Sequence, residues 1–177
     1  LKYVGFNENI TTIGSNMFYG CTSLTEFKIP FGITSIGYAA FKDCKNLTNV
    51  EFPETLTAIG SSAFSNCTGL TEINFPETLT SIDSYAFENC VFEEIDIPDS
   101  VTKLAANAFY NCTKLSTVGY PAGWTECYYQ VGYENYDGYS NNRTPFYGCT
   151  SLKEITVDEG VTSIPKYAFR NMTSLEI

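Results

Sequence analysis

The chain contains no histidine. That absence removes the commonest general base, the commonest metal ligand and the usual partner of a nucleophilic serine or cysteine. Cations are also scarce, with 10 Lys and Arg against 20 Asp and Glu, a formal net charge of -10 and a pI near 4.3. Binding to nucleic acid rests on Lys and Arg meeting phosphates, so nucleic acid is not an expected partner, and anionic lipid surfaces are disfavoured for the same reason. No apolar run reaches the roughly 18 residues that a membrane-crossing helix needs, so no direct membrane insertion is expected. No secretory signal peptide is visible, which says nothing about location, and there is no Gly-rich phosphate loop. The expectation is a chain that is not an enzyme and uses no cofactor and no metal. Carboxylates are the one remaining catalytic route, because paired Asp and Glu can hydrolyse glycosides. Here they are expected along a broad face and not around a pocket.

Apolar residues make up 44% of the 177 positions, enough for a packed core. Their arrangement is periodic. Leu1, Leu24, Leu47 and Leu70 are each 23 residues apart; Phe92 follows after 22, Leu115 after 23, Leu152 after 37 and Leu175 after 23. A fixed period of this length specifies a solenoid, in which a unit too short to bury its own apolar face stacks on copies of itself. The spacing predicts a single array over residues 1–177, of about seven coils of 23 residues. The chain opens and closes in mid-repeat without the polar caps a solenoid needs, so it is expected to be a fragment of a longer chain.

Each unit reads Leu-x-x-Ile-x-Phe-Pro-x-x-Leu-Thr-x-Ile-Gly-x-x-Ala-Phe-x-Asn-Cys. Ile73 and Phe75 flank Asn74, the alternation of a strand. Pro76 closes that strand, since proline cannot donate to a ladder. Leu79 and Ile82 belong to a second extended stretch. Gly37, Gly60 or Asp83 then redirects the chain, and the Ala-Phe and Asn-Cys phrases turn it back, with room for one 3₁₀ or α-helical turn at most. The fold class is therefore a repeat solenoid of the leucine-rich-repeat kind, mainly β with short 3₁₀ or helical turns. More narrowly, the chain resembles the BspA-like, or Treponema-type, leucine-rich repeats. That resemblance is carried by Ile29 with Pro30, Phe52 with Pro53, Phe75 with Pro76 and Ile97 with Pro98; by Ala40 with Phe41, Ala63 with Phe64, Ala86 with Phe87, Ala108 with Phe109 and Ala168 with Phe169; and by the Cys that follows. It implies a secreted or surface-anchored product of a host-associated microbe, adhesion and host-protein binding, and no catalytic residues.

Six of the seven cysteines, Cys21, Cys44, Cys67, Cys90, Cys112 and Cys149, share one slot of the repeat, and Met172 fills it in the last unit. A slot that accepts Met is an apolar hole. Stacked coils hold neighbouring Cβ vectors roughly parallel, which is poor disulfide geometry, so these residues should form a reduced, buried ladder. Cys127 stands outside that register. The Asn-Cys-Thr phrases at Asn66 and Asn111 match N-glycosylation sequons, but their Asn side chains are expected to bond turn backbone; only Asn142 falls in an open stretch.

Two rows point outward from the first strand of each unit. One is Glu26, Asn49, Glu72, Glu94, Thr117 and Glu154; the other is Lys28, Glu51, Asn74, Asp96, Gly119 and Thr156. Glu72 and Glu94 should sit on adjacent strands as like charges, either as a strip for a basic partner or a cation, or as a solvated face that resists aggregation. One unit is interrupted at about 122–145: Phe146 arrives 14 residues late, and the extra sequence holds the sole tryptophan, Trp124, with Tyr128, Tyr129, Tyr133, Tyr136 and Tyr139. Insertions in repeat arrays map to loops on one face, and Tyr and Trp dominate binding hot spots and stack on sugars. The alternative is a loop whose aromatics patch a gap left by a lost second strand. The expected function is a non-enzymatic binding module of an extracellular or cell-surface protein, adhering to a protein or glycan ligand, with host-derived ones among the candidates, through those aromatics with Glu72, Glu94 and Glu154 beside them. An architectural spacer and an accessory region of a larger secreted enzyme are the competing readings.

Overall fold

The computed structural model describes residues 6–7, 9–128, 144–157, 159–166, 168–170 and 172–176, with backbone alone at 126–128. Among the described residues eleven short strands lie on two sides of the coils: β1 (Thr12–Ile13), β2 (Glu26–Lys28), β3 (Ser35–Ile36), β4 (Asn49–Glu51), β5 (Ala58–Ile59), β6 (Ser81–Ile82), β7 (Glu94–Asp96), β8 (Lys103–Ala105), β9 (Thr117–Tyr120), β10 (Glu126–Tyr128) and β11 (Glu154–Val157). All pairings are parallel, and each joins a residue to its counterpart one repeat later, as Ile36 to Ile59 and Ile59 to Ile82. The chain is a β-solenoid. Its longest sheet, β1-β3-β5-β6-β8-β10, spans about five turns, slightly fewer coils than the repeat spacing suggests.

The turns carry no helix among the described residues. Instead i+3→i bonds such as Glu88 N to Tyr85 O (3.1 Å) and Cys90 N to Phe87 O (3.2 Å) follow one another, interrupted by left-handed residues at Tyr85 (φ 60°) and Asn89 (φ 58°). A positive φ twice in five residues cannot propagate a right-handed helix.

Three ladders run down the stack. Phe18, Phe41, Phe64, Phe87, Phe109 and Phe146 stack ring on ring at 4.9–5.6 Å, all buried. Cys44, Cys67, Cys90, Cys112 and Cys149 are buried and free, and Cys21 is free but half-buried. Each buried thiol donates to the carbonyl of a Phe in the preceding coil, at 3.1–3.4 Å. The slot is thus a donor site as well as an apolar hole. The third ladder is polar: Asn66 Nδ2 donates to Asp43 Oδ1 (2.9 Å), Asn89 to Asn66 (2.6 Å) and Asn111 to Asn89 (2.6 Å). Asn66 and Asn111 thus donate to a side chain of the preceding coil and not to the turn backbone that was expected, whereas Asn46, also in a sequon, does donate to backbone, at Thr22 O (2.7 Å).

Two expectations about continuity are corrected. The second strand of the interrupted unit is not lost: β10 pairs with β8, with Cys127 opposite Leu104. Cys127 therefore stands in register, at the slot of Ile36, Ile59 and Ile82. The insertion lies after it, and 129–143 fall outside the described residues. In addition, the strands after each anchor Leu do not make one sheet. They form β2-β4 and β7-β9-β11, and 71–76, between them, pairs with neither.

A candidate binding surface on the split strand face

The split has a local origin on one side. In most units the anchor residue donates back to the Cys carbonyl, as Leu70 N does to Cys67 O (3.0 Å) and Leu115 N to Cys112 O (3.1 Å). The unit of Phe92 is one residue shorter, and at that corner Val91 N donates to Leu70 O instead (3.3 Å). The shortened corner carries β7 away from the register that would pair it with 72–74. The side chains stay put. Ile73 is buried, and the Phe75 ring packs on Phe52 at 6.1 Å and on Phe87 at 5.5 Å. The ladder is broken while the core continues beneath it.

Over this break lies an open trough of about 910 Å³ on the solvent side. It reaches from 71–75 across β7 and β9 to Thr156 of β11. Its acidic walls are Glu72, Glu77, Glu93, Glu94 and Asp96, all exposed, and no Lys or Arg lines it. At its floor Gly119 has no side chain, and the Asp96 carboxylate leans over it from the neighbouring strand into the space a Cβ would take. Elsewhere on the same face a cation answers the charge, Lys28 Nζ lying 2.6 Å from Glu51 Oε2. The trough carboxylates have no such partner among the described residues. They are also dispersed, since no three His, Cys, Asp or Glu side chains among the described residues converge on a metal-sized site.

The sequence-derived site residues separate in space. Glu72 and Glu94 line the trough, on opposite sides of the break and not on paired strands. Glu154, exposed in β11, occupies the same outward row as Glu94 with Thr117 between them. Trp124 is not with them. It is fully buried, its ring 5.3 Å from Tyr120, whose hydroxyl donates to Trp124 O at 3.0 Å. It occupies the core slot of Ile33, Leu56, Leu79 and Val101, each three residues after the repeat's proline. As a surface contact Trp124 is therefore withdrawn: no face of the indole is accessible. The side chains of Tyr128, Tyr129, Tyr133, Tyr136 and Tyr139 lie outside the described residues. The chain leaves the described region at the end of β10 and rejoins at Thr144, whose hydroxyl donates to Ala168 O. Both points belong to the side of the coil that carries the six-stranded sheet, whereas the trough lies on β7-β9-β11. Asp96 and Gly119 were missing from the sequence-derived site. Their signal was Gly119 itself, a glycine inside a strand.

The repeat, its register and this architecture agree with a comparison to known families: residues 1–130 and 140–177 match the BspA type leucine rich repeat region, in six copies. The chain belongs to the BspA-type leucine-rich repeat family. Among solved structures the array is similar to the T. pallidum leucine rich repeat protein, at 28% identity and a TM-score of 0.71 over 88% of this chain and 64% of that one. It is also similar to a leucine rich cell surface protein from Faecalibacterium prausnitzii, at 30% identity and a TM-score of 0.60 over 75% of this chain and 32% of that one. The pneumococcal vaccine antigen PcpA, at 22% identity and a TM-score of 0.66 over 85% of this chain and 35% of that one, shares the fold. The chain thus spans less than two thirds of each of these proteins. No curated protein matches the sequence. Among the described residues no helix is long and apolar enough to cross a membrane.

Proposed function

We propose that this BspA-type array is a non-enzymatic binding module of a cell-surface or secreted protein, mediating adhesion to a protein or glycan. The observation that carries the reading is the trough, which is wide, open to solvent and built across several coils. A shape of this kind suits an extended ligand and offers no enclosed space in which to hold a small substrate away from water. The similar F. prausnitzii protein is described as a cell surface protein, which supports an extracellular location for this chain. Two contact regions are proposed: the face bearing Glu72, Glu94 and Glu154, and the tyrosines Tyr128, Tyr129, Tyr133, Tyr136 and Tyr139, which bring large amphipathic area that the regular coils do not have.

The test replaces 129–143 with a single alanine, which restores the ordinary distance from Pro121 to Phe146. Parent and variant are then run against immobilised extracellular host proteins and a glycan array, with circular dichroism confirming that the variant folds. Binding by the parent that the variant loses places the contact on the tyrosines; binding that both retain places it on the strand face. If neither binds anything, the module reading fails and an architectural spacer takes its place.

A further inference from the structure

We propose that the trough receives an extended, Lys- and Arg-rich segment of a partner polypeptide, laid across the coils with its cations on Glu72, Glu94 and Asp96; this rests on the binding-module reading above. Four observations meet here. The unpaired 71–76 leaves the strand face open between β4 and β7, which widens it for a second chain. The missing side chain at Gly119 lets the Asp96 carboxylate lie over β9, in the middle of the trough floor. The walls carry five carboxylates and no cation. The dispersal of those carboxylates argues for several separate positive charges and against one divalent ion. Length agrees as well. From β7 to β11 is two ladder steps, roughly 10 Å, and the unpaired 72–74 lies beyond β7, so the whole span takes more than about four residues of extended chain. Lys or Arg at alternate positions of such a segment would all face the carboxylates, while the residues between them need only be small.

The test measures fluorescence anisotropy of a short labelled peptide alternating Lys and Gly, with a Glu and Gly peptide as its control. The Lys peptide should bind the parent, lose affinity steeply as salt is raised and outcompete the Glu peptide entirely. The pair Glu94→Gln with Asp96→Asn should weaken it by at least about tenfold. The pair Glu26→Gln with Glu54→Gln, which removes the same charge from outside the trough, should change it by less than about twofold. Gly119→Phe fills the floor at constant charge and should also abolish binding; should that variant misfold by circular dichroism, the two charge pairs still decide. Equal losses from the two pairs would show attraction to net charge alone and overturn the proposal, as would no binding at low salt. A host ligand that binds equally well with and without Glu94 and Asp96 would leave the module reading standing and remove the trough from it.

Discussion

At the scale of single residues, the repeat is held by backbone conformations that its side chains tolerate unequally. Two slots per coil are left-handed. One holds Asn16, Ala39, Ser62, Tyr85 and Asn107; the other holds Gly20, Asp43, Asn66, Asn89, Asn111 and Gly148. The second slot is filled by Gly, Asn and Asp, which reach this region cheaply, whereas Ala39, Ser62 and Tyr85 carry a Cβ strain of about 1–2 kcal/mol. Ser62→Gly is therefore expected to raise stability by roughly 1 kcal/mol, and Gly148→Ala to lower it by a similar amount. Thermal unfolding of the two variants beside the parent tests both signs. Asp83 is disfavoured for a different reason, the burial of its charge. It takes the slot of Gly37 and Gly60, and burial pushes its carboxyl pKa up, against a smaller opposing pull from Lys103. A folded-state pKa above the unfolded one means that the charged form weighs against folding above the ordinary carboxylate range, and that the penalty fades as pH falls below it. Asp83→Asn should consequently stabilise the array at pH 7 and do nothing near pH 3, as read from denaturation midpoints at the two pH values.

At the scale of the elements, each ladder joins one coil to the next by a different force. The Phe ladder is the apolar one. Phe64 lies between Phe41 at 5.1 Å and Phe87 at 5.4 Å and is fully buried, so Phe64→Ala is expected to cost about 3–5 kcal/mol in urea unfolding. The Cys ladder is held by burial and by its thiol bonds. Desolvation pushes the Cys44 thiol up to about 11 and those of Cys67, Cys90 and Cys112 up as well. A raised thiol pKa contributes stability that is complete below about pH 9, the unfolded value, and is lost as pH climbs towards the folded one. Native protein at pH 8 should react with a thiol reagent at Cys21 long before the buried five, and the unfolding midpoint should fall between about pH 9 and pH 11. Replacing Cys44 and Cys67 with Ala should flatten that fall; an equally steep fall would assign it to other groups, Tyr120 among them. Much of this could be read from the repeat. Counting three residues on from each proline puts Trp124 with Leu56 and Leu79, a core position, and counting six puts Cys127 in backbone register with Ile59 and Ile82, although composition alone marks both as exceptional. The thiol bonds could not be read that way, because Met172 shows only that the slot is apolar and of the right size.

At the scale of the whole molecule, the periodicity conveys the solenoid but not the inequality of its two sides. One ladder of parallel strands runs unbroken through six positions, while the other parts at 71–76. The 22-residue step to Phe92 was visible in the sequence, yet a period off by one does not say whether the corner or the sheet absorbs the difference. Here the corner shortens and the sheet opens, whereas Ile73, Phe75 and the Phe ladder keep the core continuous. The two halves of the array are thus joined across the split by side-chain packing, by the β5-β6-β8 ladder and by turn bonds such as Phe64 N to Ala86 O (2.7 Å) and Phe87 N to Ala108 O (2.8 Å), without strand hydrogen bonds at 71–76. This has a measurable consequence for native-state hydrogen exchange. Amides at 72–75 have no ladder partner and should exchange at nearly unprotected rates, while those of β6, in the same unit but on the other side of the coil, and those of β9 should exchange through larger openings of the array. Because a peptide laid over the trough would cover 72–75, saturating Lys peptide should slow exchange there and leave β6, on the other side of the coil, unchanged. Protection at 72–75 equal to that of β9 in the free protein would mean that the ladder is closed in solution, and the trough would then lose the feature that sets it apart from the rest of the strand face.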